Sequence, residues 1–294
     1  MKATVVGTGI MGAAMAGSLA RDGHEVVVWN RTPEKAEAVV GHGVRTVASL
    51  AEAVTGADVV LTSLFDADAV LAVADEIAAH LDDGAVWVQT STVGPAAARQ
   101  IASRAPGRVL DAPVLGTRKP AEDGTLVVLA SGPPDLVERA RPALDAIGSR
   151  TLVVNDATDG GSSLKLATNA WVGLITAGTA QSLGLAAALG VDPSLVLDAL
   201  AGGAADSAYA HLKGAAMLEQ IKGGTGDGPV SFALDGVRKD LDLMIGAAQE
   251  TGFPLDLLSA VKGVYDRASS AGHGEHDLAA VQAAFLVPGP DQTQ

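Results

Sequence analysis

Residues 2–32 read KATVVGTGIMGAAMAGSLARDGHEVVVWNRT. The apolar run Ala3–Val6 has the character of a buried strand, and it feeds Gly7, Gly9 and Gly12 in G-x-G-x-x-G spacing. A helical pattern follows, then a second apolar run that ends at Asn30-Arg31-Thr32. A glycine motif alone says little in a chain with 35 Gly. Here it follows a strand, opens a helix and has the second strand at the expected distance, which is the context of a dinucleotide-binding βαβ unit. Gly7 permits the tight turn, Gly9 lets the backbone approach a pyrophosphate, and Gly12 allows helix to pack closely on strand. The amides of the helix start, Ile10 and Met11 included, then face the phosphates.

The end of the second strand selects the cofactor. NAD sites place Asp or Glu there to bond the ribose hydroxyls, and this chain has Asn30, Arg31 and Thr32 instead. An acid would repel the 2′-phosphate of NADP, whereas Arg31 can pair with it and stack on the adenine. NADP (NADPH) is therefore expected over NAD. The competing reading makes Arg31 a solvated surface charge and Thr32 a cap for the helix that Pro33 opens.

Outward from this unit, 294 residues allow two ordinary domains and a sizeable core. Although 48% of the residues are hydrophobic, no apolar run reaches the length of a membrane span. The chain opens directly into a strand, so no export leader is expected and the cytoplasm is the expected location. With no Cys, disulfides, thiolate metal sites and Cys nucleophiles are excluded. The six His are scattered, His273 and His276 lie in a Gly-rich loop pattern, and no metal site is expected. A formal charge of -14 argues against a nucleic-acid partner. It does not exclude an anionic cofactor held locally by Arg31 and helix amides.

Up to about residue 160, short apolar runs alternate with helical stretches. Strands are expected at 2–6, 25–29, 57–62, 84–89, 107–110, 124–130 and 150–154, and helices near 10–22, 33–41, 67–80, 94–104 and 133–147. That alternation predicts an α/β domain with a mostly parallel, doubly wound Rossmann-type sheet. From Gly160 the pattern changes. GSSLKLATNAWVGLITAGTAQSLGLAAALG runs without Pro and is small or apolar nearly all round, so it reads as a long helix buried on most faces. Helical patterns then follow near 193–201, 207–217, 231–250, 255–270 and 276–286. The expected division is a cofactor domain over 1–160 and an all-α substrate and dimerisation domain over 161–294, joined by the long helix. The tail from Pro288 is expected to fray.

Lys165 is the outstanding ionisable residue. It stands on an otherwise nearly uncharged helix, four residues before Asn169, so both side chains share one face. Gly161 and Gly173 keep that face open. A Lys in an apolar wall is costly unless paired or used, and a desolvated ammonium can donate a proton to a carbonyl oxygen. Asn169 can hold the same oxygen or orient the Lys. On spacing alone, a Lys that snorkels near a helix start fits equally well.

GTGIMG, DAPVLGTRKPAEDGTLVVLASG, GGSSLKLATN and RKDLDL, in that order, resemble the β-hydroxyacid dehydrogenase family over nearly the whole chain. That family includes 3-hydroxyisobutyrate dehydrogenase and the glyoxylate/succinic semialdehyde reductases. RKPAEDGTL looks most like the last branch, which uses NADPH. The resemblance places the family's catalytic lysine on Lys165 and its helix asparagine on Asn169. It places a cofactor-proximal lysine on Lys239, followed by Asp240 near the substrate. The S-T-V segment near the nicotinamide is present as Ser91-Thr92-Val93, with Ser91 toward substrate and Thr92 toward cofactor. Leu64 falls beside the cofactor, and Phe232 on an aromatic that closes the substrate pocket. One departure stands out. The family usually reads D-A-P-V-S-G-G where residues 111–117 read DAPVLGT, so Leu115 replaces a serine that binds the substrate carboxylate. The amides of Gly116 and Thr117, and the Thr117 hydroxyl, remain. Losing one donor to an anion costs about 1.5–3 kcal/mol, which points to a substrate that is larger, less anionic or differently oriented. Gln181, where relatives often carry Glu, has no assigned consequence.

The resemblance thus implies an NADPH-dependent oxidoreductase acting on a short aldehyde or keto acid, with Lys165 as general acid/base. Imine reduction on the same scaffold is the second reading, and the intact Lys-x-x-x-Asn speaks against it. A catalytically silent cofactor-binding scaffold is the third. The apolar long helix predicts pairing of helical domains into a homodimer or homotetramer.

Overall fold

The longer strands of the first half are runs of mostly apolar, β-branched residues, which suits strands covered on both faces. In the computed structural model, which describes residues 1–41, 43–224 and 228–286, the chain runs β1 (Lys2–Val6), α1 (Ile10–Arg21), β2 (Glu25–Trp29), α2 (Pro33–Glu37), β3 (Val44–Thr46), α3 (Leu50–Val54), β4 (Val59–Thr62) and α4 (Ala67–His80). It continues with β5 (Val86–Gln89), α5 (Pro95–Ala102), β6 (Val109–Asp111), β7 (Val114–Leu115), α6 (Arg118–Asp123), β8 (Leu126–Ala130), α7 (Pro134–Ile147) and β9 (Gly148–Val153). The tail from Pro288 lies outside the described residues.

Six parallel strands form a sheet in the order β3-β2-β1-β4-β5-β6. This is the Rossmann order, and its direction reverses between β1 and β4. Alternate residues of each strand face opposite ways. Val5, Val28, Leu61 and Val88 pack with Met15 and Leu19 of α1 and with Leu136, Ala140 and Leu144 of α7. Val6, Val60 and Trp87 pack with α3, α4 and α5 through Leu50, Val70, Ile77 and Ile101. The doubly wound expectation therefore holds, with one difference. The last expected strands leave the main sheet and form a second, three-stranded one, β7-β8-β9, in which β7 and β8 are antiparallel. Pro113 stands between β6 and β7, and Pro cannot donate to a ladder, so the chain turns away from the parallel sheet there. The helix expected over 33–41 stops at Glu37. Gly41 and Gly43 follow at φ 134° and 92°, and β3, α3, β7 and α6 are short elements absent from the sequence expectation.

α8 spans Gly160–Ala188. The chain divides into two compact units at Leu166/Ala167, within α8 rather than at its start. In the second unit α9 (Ser194–Leu200), α10 (Ala208–Ile221), α11 (Leu234–Thr251) and α12 (Asp256–Ala268) follow. Gly173 of α8 faces Val237, Leu241 and Val261, and the buried Tyr265 hydroxyl donates to the Gly173 carbonyl at 3.2 Å. The segment expected as a helix over 276–286 is a 3-10 helix, Leu278–Phe285, capped by Asp277. Asp277 also pairs with the buried Lys213 at 2.7 Å. Among the described residues no helix is long and apolar enough to cross a membrane.

Candidate active site

The G-x-G-x-x-G glycines answer three different demands. Gly7 has φ +102°, and a Cβ there would lie 2.3 Å from the Ser63 carbonyl oxygen beyond β4. A Cβ on Gly12 would lie 2.0 Å from the Gly7 oxygen. Packing alone dictates both. Gly9 has φ -67°, open to any residue, and nothing lies within 4 Å of where its Cβ would be. Its bareness keeps space clear in front of α1. Beside it, the buried Thr8 hydroxyl has no hydrogen-bond partner. The α1 N-terminus has no side-chain cap. Clear space, an unsatisfied hydroxyl and uncapped helix amides fit a dinucleotide pyrophosphate. A cavity of ≈ 410 Å³ opens there, lined by Thr8, Gly9, Ile10 and Ala13 and by Arg21 and Arg118. Ile10 is 50% exposed at its edge, and Met11 is half-buried.

At the end of β2, Asn30 links strand to loop. Its Oδ1 accepts from the Thr8 amide at 3.3 Å, and its Nδ2 donates to the Thr32 carbonyl at 3.0 Å. Arg31 is exposed and makes no hydrogen bond or ion pair among the described residues. At the ends of β4 and β5, the Ser91 hydroxyl accepts from the Leu64 amide at 2.8 Å and donates to the Thr62 carbonyl at 3.3 Å. Leu64 lies against Gly7. Ser91, expected to touch substrate, is thus buried and engaged in joining two strand ends, while Thr92 beside it is half-buried.

The start of α8 is clamped from two strands. The Ser131 hydroxyl accepts from the Gly161 amide at 2.8 Å. Asp111, the last residue of β6 and 1% exposed, accepts from the Ser162 amide at 2.6 Å and the Ser162 hydroxyl at 2.8 Å. Burial pushes the Asp111 carboxyl up to about 7; the two Ser162 bonds oppose the rise and the charge of Asp159 adds to it. Gly161 has no room for a side chain, since a Cβ would lie 2.2 Å from the Leu129 carbonyl oxygen. Lys165 follows within one turn. It is buried, and its ammonium donates to the Val114 carbonyl of β7 at 2.7 Å.

Leu115 and Thr117 are half-buried around Gly116. Gly116 sits at φ +126°, and a Cβ there would approach Leu126 to 2.7 Å. Arg118 and Lys119 are engaged by their own helix, through Glu122 and Asp123. In the second unit, the buried Asn169 donates to Asp240 Oδ2 at 2.6 Å, and Lys239 stands 2.9 Å from Asp240 Oδ1. Asp240 is 1% exposed. Phe232 lays its ring on the Gly236 backbone at the head of α11.

Within the first unit the structure brings the glycine loop, Asn30, Leu64 and Ser91 to the C-terminal edge of the sheet, and Lys165 to β7. Within the second it gathers Asn169, Lys239 and Asp240. Sequence reasoning missed Asp111, Ser131 and Ser162. The one available signal was a charged residue at the end of an apolar run. Trp87 is fully buried with its indole N–H on Thr62, whereas Trp171 is 62% exposed. Among the described residues no group of acidic and His side chains could hold a metal.

Residues 2–155 match the family model described as the NAD binding domain of 6-phosphogluconate dehydrogenase. Residues 160–285 match the one described as NAD-binding of NADP-dependent 3-hydroxyisobutyrate dehydrogenase. The chloroplastic glyoxylate/succinic semialdehyde reductase 2 of Arabidopsis thaliana is 31% identical over 95% of this chain and 78% of its own. L-threonate dehydrogenase of Cupriavidus necator is 31% identical over 96% of this chain and 95% of its own. The crystal structure of a 3-hydroxyisobutyrate dehydrogenase from Salmonella typhimurium is 28% identical and superimposes with a TM-score of 0.84, covering 96% of this chain and 99% of that one.

Proposed function

The chain belongs to the β-hydroxyacid dehydrogenase family, and on that premise we propose that it is an NADPH-dependent reductase of a short aldehyde or keto acid with Lys165 as its proton donor. The class, an NAD(P)-dependent oxidoreductase of the hydroxyacid or semialdehyde type, follows from the family. The observation that carries the finer reading is the buried Lys165 ammonium, which donates to the Val114 carbonyl at 2.7 Å. That bond fixes the side chain, and a buried, positioned ammonium suits proton donation to a developing alkoxide.

The phosphate groups are assigned to the α1 amides, the clear space over Gly9 and the Thr8 hydroxyl. Arg31 takes the 2′-phosphate, with Asn30 and Thr32 as neutral partners. Bound NADPH supplies hydride. Lys165 gives its proton to the carbonyl oxygen in reduction and recovers it in the reverse direction. Asn169, oriented by Asp240, is the second polar group of that face, and Lys239 accompanies it. The amides of Gly116 and Thr117 are assigned to the substrate carboxylate, and Leu115 favours a substrate with an apolar portion at that point. Asp240, buried beneath Asn169, acts on Asn169 rather than on substrate. We assign the first unit to cofactor and the second to substrate and self-association, as a dimer or tetramer of the cytoplasm.

The test is steady-state oxidation of NADPH and of NADH against glyoxylate, succinic semialdehyde and a cyclic imine. Turnover of an aldehyde acid with NADPH is expected. Turnover of the imine alone, or none with any carbonyl, overturns the proposal.

A further inference from the structure

The segment 111–114 touches α8 at two points. Asp111 grips Ser162 through both carboxylate oxygens, at 2.6 and 2.8 Å, and the Val114 carbonyl grips the Lys165 ammonium at 2.7 Å. Asp111 is itself fixed, because its amide and carbonyl bond the Ser131 carbonyl and amide at 3.1 and 2.8 Å. The helix start has no room to spare, since a Cβ on Gly161 would lie 2.2 Å from the Leu129 carbonyl oxygen and 2.8 Å from that of Asp111. A helix turn anchored at 161–162 sets where the side chain at 165 emerges.

We propose that Asp111 is the positioning residue of Lys165: its ionised carboxylate clamps Ser162 and so registers the ammonium on the Val114 carbonyl. The inference rests on the reading of Lys165 as the proton donor. A buried carboxylate is expensive, and a neutral side chain could cap this helix more cheaply. Its presence in so buried a spot is explained if the rigid, two-oxygen grip is required. The charged group that acts on it is Asp159, just before α8, which is itself paired with Arg99 of α5 at 2.5 Å. Just after β8 the facing group is the neutral Ser131.

Protonation of Asp111 weakens the grip, since one oxygen then becomes a donor. Activity of the full-length protein is therefore expected to fall on the acid side with a midpoint near the carboxyl's own value of about 7. The experiment measures kcat against pH for wild type, Asp111→Asn, Ser162→Ala and Lys165→Ala, with glyoxylate or succinic semialdehyde, and NADPH affinity by fluorescence titration. Asp111→Asn, a neutral isostere, is expected to lose the acid limb and to run at least about tenfold slower at pH 8, with NADPH affinity unchanged. Ser162→Ala removes a bond that holds the carboxyl down, so its acid limb is expected to move to higher pH; a purely structural serine would not move it. If Asp111→Asn does not fold, the Ser162→Ala limb decides. Wild-type rate and limb in both variants, with Lys165→Ala inactive, overturn this inference and leave the proposed function standing. Full activity of Lys165→Ala overturns both.

Discussion

Arg31 lends itself to a direct test because its guanidinium is exposed and engages no other residue among those described. A charge-assisted bond to phosphate contributes about 1.5–3 kcal/mol. NADPH is therefore expected to bind at least about tenfold more tightly than NADH, and Arg31→Ala to erase most of that difference in paired dissociation constants. Asn169→Ala removes one hydrogen-bond partner of Asp240 and leaves Lys165 in place, so a milder loss of kcat is expected than for Lys165→Ala. Asp111 allows a stability test with a definite sign. Its folded value is raised, so between about pH 4 and 7 the folded state holds a proton the unfolded chain has lost. Stability then falls as pH rises through that window, by at most about 1.4 kcal/mol for each pH unit. Asp111→Asn, which cannot ionise, should gain in melting temperature relative to wild type between pH 5 and pH 8; a gap that shrinks over that range contradicts the burial argument. These residues were unequally legible. Lys165 stood out as a lone charge on an apolar helix. Asp111 did not, because its partner Ser162 lies 51 residues away and neither forms a local pattern.

The elements were most legible where one period ran long enough. β1, α1, β2, α4 and α7 follow the expected boundaries to within a residue, because each alternates or repeats through at least one full turn or strand. β3, β7 and α6 are two to six residues long and take their form from neighbours: β7 from pairing with β8, α6 from packing on α1. No window in the sequence carries that information. The glycine loop offers a test that separates packing from binding. Gly9→Ala meets open space at a φ that alanine adopts readily. It should leave the melting temperature nearly unchanged while weakening NADPH by on the order of tenfold or more. Gly12→Ala drives a Cβ into the Gly7 oxygen and should destabilise the fold itself. Equal NADPH affinity in Gly9→Ala and wild type would place the pyrophosphate elsewhere.

At the scale of the whole molecule, α8 carries an unsatisfied apolar stripe. The sequence predicted burial on most faces, yet Trp171 and Leu185 of α8 and Leu189 just beyond it are 62%, 56% and 71% exposed in the single chain. Leu195 and Leu200 of α9 add to the apolar surface of the second unit. Fully burying such a side chain contributes about 1.5–3 kcal/mol, so self-association through the helical unit is expected. Light scattering should find a dimer or tetramer at micromolar concentration, and Leu189→Asp should shift it toward monomer. A wild-type monomer contradicts this assignment. The chemistry turns on one side chain, and Lys165→Ala tests it most directly, by kcat with the better aldehyde-acid substrate and by NADPH affinity on the same folded preparation. Proton donation by Lys165 requires kcat to fall by about 10²–10⁴ while the NADPH dissociation constant stays within about twofold. A folded Lys165→Ala protein that turns over near the wild-type rate would contradict it and leave Lys165 a buried structural cation bound to Val114.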